Sequence, residues 1–119
     1  MNRCAFVIPY FGKFNVYFQL FLDSCKANPD FDWLIFTDDR RPFAYPQNVR
    51  VEYTTFSDIA GKFQSQLDFK ISLGKPYKLC DYKLMYGTVF ADYLSAYEFW
   101  GFCDVDMIFG HIVHYGCCF

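Results

Sequence analysis

Two aspartates one residue apart, Asp104 and Asp106, interrupt the apolar run FWGFCDVDMIFG (99–110). An ionised carboxylate left unpartnered among apolar side chains is costly, so such a pair either surfaces at a strand end or holds something positive. In an extended segment residues i and i+2 point to the same side, which brings both carboxylates to one spot. Two hard oxygen donors suit Mg²⁺ or Mn²⁺, ions that complete their shell with water and substrate phosphates. A cation held this way neutralises a diphosphate, in binding or as a leaving group. The plainer alternative is a strand end that opens into a polar loop.

Three other groups carry possible chemistry. Asp38 and Asp39 close the run DWLIFTDD (32–39). An acid at a strand end can hydrogen-bond a ribose hydroxyl or a base edge; the alternative is a solvated turn in which Arg40 and Arg41 are local partners. The stretch KPYKLCDYKLMYG (75–87) offers Lys75, Lys78 and Lys83 as point charges for phosphate, and Tyr77 and Tyr82 as stacking surfaces. A solvated helix face explains most such lysines, and Lys83 stands apart because it lies in the helix leading to the acidic strand. His111, His114, Cys117 and Cys118 have zinc-like composition, but the two cysteines are adjacent rather than spaced as in a zinc knuckle.

These residues need a scaffold. RCAFVIP (3–9) reads as a buried strand stopped by Pro9. Polar residues at Asn15, Gln19, Asp23 and Lys26 draw one thin stripe on a helix over 15–29, capped by Asn15 and ended by Asn28-Pro29. A second strand over 32–39 and a third over 48–55 follow. Thr55 and Asp58 open a helix with Ile59, Phe63 and Leu67 on one face. After a break at Gly74-Lys75-Pro76, Asp81 caps a helix to Tyr97 with Leu84, Val89, Phe90, Tyr93, Leu94 and Tyr97 inward, and Gly87 marks close packing. The last strand is 99–106. The order β-α-β-β-α-α-β predicts a layered α/β fold, a mostly parallel sheet with helices on both faces, whose ligands bind outside the carboxyl ends of the strands.

At 119 residues, 54% hydrophobic and 24% aromatic, the chain is one domain with a filled core or a surface that needs covering. A net charge of −2 gives no argument for nucleic acid or an anionic membrane as partner, and no nucleic acid is expected. No apolar run reaches the roughly 18 residues of a spanning helix. The six cysteines are scattered through apolar segments, which predicts reduced thiols in a cytoplasmic protein, with an exposed Cys117–Cys118 pair as the open exception.

FVIPYFGKF (6–14), WLIFTDD (33–39), KPYKLCDYKLMYG (75–87) and FWGFCDVDMIFG (99–110) together resemble, in this order, the N-terminal nucleotide-binding half of GT-A-fold glycosyltransferases. More specifically, the chain looks like a bacterial group of glycosyltransferases of surface-polysaccharide synthesis. The resemblance implies a nucleotide-sugar-binding domain over 1–110 followed by an atypical tail over 111–119. It implies that Pro9 and Tyr10 border the base, Asp38 meets the base or ribose, and Lys83 lies near the diphosphate. Asp104 and Asp106 become the D-x-D pair that binds Mn²⁺ or Mg²⁺ and the sugar nucleotide. It places the protein in the cytoplasm, peripherally at the inner membrane where the acceptor is lipid-linked. Such domains continue past the D-x-D strand with an acceptor site and often a third metal ligand, whereas this chain has 13 residues after Asp106, so a truncated donor half is expected.

The leading reading is thus a metal-dependent glycosyltransferase, or its donor-binding fragment, moving a sugar from a nucleoside diphosphate sugar to a glycan or lipid-linked acceptor. A non-catalytic remnant or interaction module, self-associating through exposed apolar surface, is the competing class. A phosphatase with an aspartate nucleophile also uses strand-D-x-D, but there the motif usually sits on the first strand, and here it is on the last. A nucleotidyltransferase is disfavoured because PYFGKF lacks a glycine-rich phosphate loop.

Overall fold

The computed structural model describes residues 4–67, 82–83, 85–103, 105 and 109. The elements are β1 (Cys4–Pro9), α1 (Phe18–Lys26), β2 (Phe31–Thr37), β3 (Val49–Tyr53), α2 (Phe56–Ser65), α3 (Tyr86–Val89), α4 (Ala91–Leu94) and β4 (Phe99–Phe102). The four strands form one sheet in the order β3-β2-β1-β4. Every pairing is parallel. The expected α/β class holds.

Alternation along the strands sorts side chains into two cores, as the period of two requires. Cys4, Phe6 and Ile8 of β1 and Phe31, Trp33 and Ile35 of β2 face α1, where they meet Phe18, Phe21, Leu22 and Cys25. Ala5 and Val7 of β1 and Leu34 and Phe36 of β2 face the other way, onto Ile59 and Phe63 of α2 and onto Tyr86, Phe90 and Leu94. Helices therefore cover both faces of the sheet, and β1 and β2 are buried on both sides. That is why their sequences read as continuous apolar runs.

Several local expectations shift. The first helix begins at Phe18, not Asn15: the Asn15 side chain accepts a hydrogen bond from the Tyr17 N–H (2.8 Å) in a turn ahead of regular helix. Residues 10–17 are thereby released to cross the carboxyl edge of the sheet. Thr55 caps α2 as read, its hydroxyl accepting from the Asp58 N–H at 3.1 Å. The single helix expected up to Tyr97 is two short pieces, α3 and α4, separated at Phe90 (φ −103°, ψ 24°). Phe90 itself is fully buried against Phe36, with ring centroids 4.5 Å apart, so tertiary packing outweighs helical continuity there. Gly87 is a close approach: a Cβ at this position would lie 2.7 Å from Trp100 Cζ2.

At the amino edge the Tyr97 hydroxyl donates to Asp32 Oδ2 at 2.6 Å. This contact spans β1 and ties the entry of β4 to the start of β2. Burial, reinforced by the bond to Asp32, holds the Tyr97 phenol well above its ordinary range. Asn48 does similar work between β3 and α1, its amide donating to the carbonyls of Cys25, Asn28 and Phe31 at 2.8–3.1 Å. Cys25 is a free thiol. Burial, and secondarily the neighbouring Cys103, push the Cys25 thiol far up, which leaves it an inert core residue.

Candidate functional site

The chain runs from β1 to β2 to β3 toward one edge of the sheet, then returns to place β4 on the opposite side of β1. The strand order thus reverses between β1 and β4. In open parallel sheets the crevice outside the carboxyl ends at such a reversal is where ligands bind. Register puts the relevant ends level: Val7 pairs with Leu34 on one side and Phe102 on the other, and Pro9 pairs with Phe36. Pro9-Tyr10, Asp38 and the end of β4 therefore share one edge.

The β1 end is held by its neighbours. The Tyr10 N–H donates to the Phe36 carbonyl at 2.8 Å, extending the β1–β2 ladder by one step. The half-buried Tyr10 ring stacks on Phe14 at 4.9 Å, and Phe14 stacks on Phe18 at 3.7 Å. This column seats the start of α1, so most of the Tyr10 ring is committed to packing. Phe11 turns to the opposite face and meets Phe56 edge-on at 5.8 Å. Gly12 follows with φ +106°, a left-handed conformation that disfavours any side chain.

Asp38 and Asp39 separate into different roles. Asp39 is buried, and its carboxylate accepts from the Phe14 N–H (2.9 Å), the Arg41 N–H (3.1 Å) and the Arg41 guanidinium (2.6 Å to Nη2). The Arg41 guanidinium also donates to the Phe14 carbonyl at 2.8 Å. Hydrogen bonding from Arg41 outweighs the cost of burial and holds the Asp39 carboxyl well below the usual carboxylate range. Asp39 is thus a structural clamp on the 10–17 loop, the local arginine partnership foreseen as the plainer alternative but buried rather than solvated. Asp38 is exposed, and one of its oxygens, Oδ1, accepts from the Gly12 N–H at 2.9 Å. Its other oxygen accepts no hydrogen bond from the described residues.

On the far side of β1, the Lys83 ammonium lies 4.9 Å from the centroid of the Phe102 ring. Phe102 closes β4 and is 40% exposed, with Tyr86 edge-on to it at 6.2 Å. The structure so places a cation at the carboxyl end of β4, the strand that leads in sequence to Asp104. Phe102 was not singled out from sequence, where it is one apolar residue among many; its value comes from standing at the strand end under Lys83. Tyr82, considered as a base-stacking residue, instead packs half-buried against Phe63 (6.0 Å).

Pro9, Tyr10, Asp38 and Lys83 are therefore distributed along one edge, with β2 and β4 two strand spacings, about 10 Å, apart. Asp104 and Asp106 lie outside the described residues, as do Lys75, Tyr77, Lys78, Cys80, Asp81, Leu84, His111, His114, Cys117 and Cys118. Between the two aspartates Val105 is described, and it is buried in the core beneath α1. Among the described residues no three His, Cys, Asp or Glu side chains gather as a metal site, and none of the helices is long and apolar enough to cross a membrane. The strand expected over 99–106 ends at Phe102, and Val105 lies in a turn.

Comparison with curated proteins and with solved structures returns no match for this sequence. Residues 6–116 match a family of unknown function, DUF6625. With nearly the whole chain covered, the protein belongs to that family.

Proposed function

We propose that the chain binds a nucleoside diphosphate sugar at the carboxyl edge between β1 and β4, as the donor half of a metal-dependent glycosyltransferase. The observation that supports this most is the reversal of strand order at β1/β4, with an exposed acid, Asp38, on one side and a cation, Lys83, on the other. In this reading the free oxygen of Asp38 accepts from a ribose hydroxyl or base edge. Pro9 and the exposed rim of Tyr10 border the base. Lys83 contributes charge to the diphosphate, and Asp104 with Asp106 hold Mn²⁺ or Mg²⁺ against the same phosphates. A bound cation would stabilise the departing diphosphate. The acceptor in this reading is a glycan or lipid-linked saccharide, met at the cytoplasmic side of the inner membrane.

The direct test is calorimetric titration of UDP, GDP and CMP into the chain in the presence of Mn²⁺, repeated with Asp106→Ala. The proposal expects one nucleotide to bind and the substitution to abolish the metal-dependent part. Equal binding by the variant would overturn the assignment of the aspartates.

A further inference from the structure

The outer side of β3 offers backbone groups that the sheet does not use. Successive residues of a strand turn their N–H and C=O to opposite sides. The Trp33 N–H donates to the Asn48 carbonyl and the Thr54 N–H to the Thr37 carbonyl, both at 2.9 Å, so the even-numbered residues of this segment bond β2. Val49, Val51 and Tyr53 therefore turn their backbone groups away from the sheet. The Val49 N–H donates to the Pro46 carbonyl at 3.1 Å. Among the described residues no further strand pairs with this edge.

Edge strands are commonly shielded from a second strand by a proline, a bulge or repelling charge. β3, VRVEY, has no proline and keeps an unbroken register against β2. Its two charges are opposite in sign: Arg50 and Glu52 stand on one face, 3.0 Å apart, with side chains 63% and 35% exposed. In an antiparallel pair of two copies about a two-fold axis at Val51, Arg50 of each copy lies opposite Glu52 of the other. Each guanidinium then meets a carboxylate across the strands as well as along its own, and the four charges alternate. Because Arg50 and Glu52 spend their backbone groups on β2, these cross-strand positions are the non-hydrogen-bonded ones, where facing side chains come closest. The same axis matches the outward backbone: the two Val51 residues exchange both N–H···O=C bonds, and each Tyr53 N–H meets the Val49 carbonyl of the second copy.

We propose that two copies of the chain join through β3 as an antiparallel, two-fold pair centred on Val51, merging two four-stranded sheets into one. A two-fold contact uses the same surface on both copies, and VRVEY is complementary to itself in charge and in hydrogen bonding. The contact is narrow, so the dimer is a weak one set by concentration. Antiparallel pairing points the two carboxyl edges in opposite directions, so the inference does not rest on the donor-site reading.

The test is sedimentation velocity of the full chain over a concentration series, without nucleotide or metal. A monomer–dimer equilibrium is the expected result. Arg50→Glu and Glu52→Arg each turn both symmetric contacts into like-charge pairs, and each alone should weaken the dimer by at least about tenfold. The two variants mixed set glutamates against arginines at both positions, and the mixture should dimerise about as well as the parent chain. Mixing would not rescue a charge pair that matters only within one chain. Both positions lie at the surface, so each variant should keep its fold, as circular dichroism would verify. A chain that stays monomeric at every concentration, or variants that mixing leaves monomeric, would overturn the proposal. So would a dimer that neither substitution weakens, since the contact would then lie elsewhere, as at the exposed Val16 and Leu20.

Discussion

Two adjacent aspartates at the end of β2 show how one peptide step separates a buried clamp from an exposed carboxylate. Asp39 points into the protein, where Arg41 and the Phe14 N–H take both of its oxygens. Its carboxyl is held below its unfolded range, so this clamp stabilises the fold fully above about pH 4 and the contribution is lost as the pH falls below that value. Asp39→Asn should destabilise the protein by roughly 1–3 kcal/mol, because an amide group presents a donor to donors. It should also flatten the acid limb of a denaturation midpoint measured against pH. Asp38 is exposed, and Asp38→Ala should leave the melting temperature within a few degrees while weakening nucleotide binding. If the substitution instead cost as much stability as Asp39→Asn and spared binding, Asp38 would be a second clamp and no ligand contact. Lys83→Met, which keeps an apolar stem over Phe102, should weaken nucleotide binding through lost charge with little change in stability.

At the level of elements, β1, β2 and the α2 cap were legible because they depend on local patterning: continuous apolar runs for β1 and β2, and a threonine three residues ahead of an aspartate for α2; the last strand ends at Phe102, short of the 106 that its apolar run suggested. The break between α3 and α4 was not legible. It arises where Phe90 enters the space over Phe36, a contact 54 residues away that no local pattern encodes. The late start of α1 has a similar cause, since Asp39 and Arg41 capture the backbone of Phe14 from across the edge of β2. Gly87 was legible as a close approach, and Trp100 is what it approaches. Gly87→Ala adds a methyl into that indole, and the overpacking exceeds the gain in helix propensity, for a net loss of about 1 kcal/mol by chemical denaturation. A stabilised Gly87→Ala variant would mean that Trp100 swings away without cost.

For the whole molecule, the parallel order β3-β2-β1-β4 turns scattered residue types into one edge. Asp38 and Lys83 are 45 residues apart in sequence, and only the sheet puts them on the two sides of β1. Reading the sequence singled out the ends of β1, β2 and β4 as candidates, and the sheet puts these ends on one edge. It could not distinguish Asp38 from its buried neighbour, nor show that Tyr10 is largely spent in the stack with Phe14, because both facts depend on where loop 10–17 crosses the sheet. The most direct test of the proposed donor site is a thermal-shift titration of the chain with UDP, GDP and CMP, each with and without Mn²⁺. Stabilisation by one nucleotide only when the metal is present is the expected result. A cooperative melt that none of the nucleotides moves, with or without Mn²⁺, would contradict it.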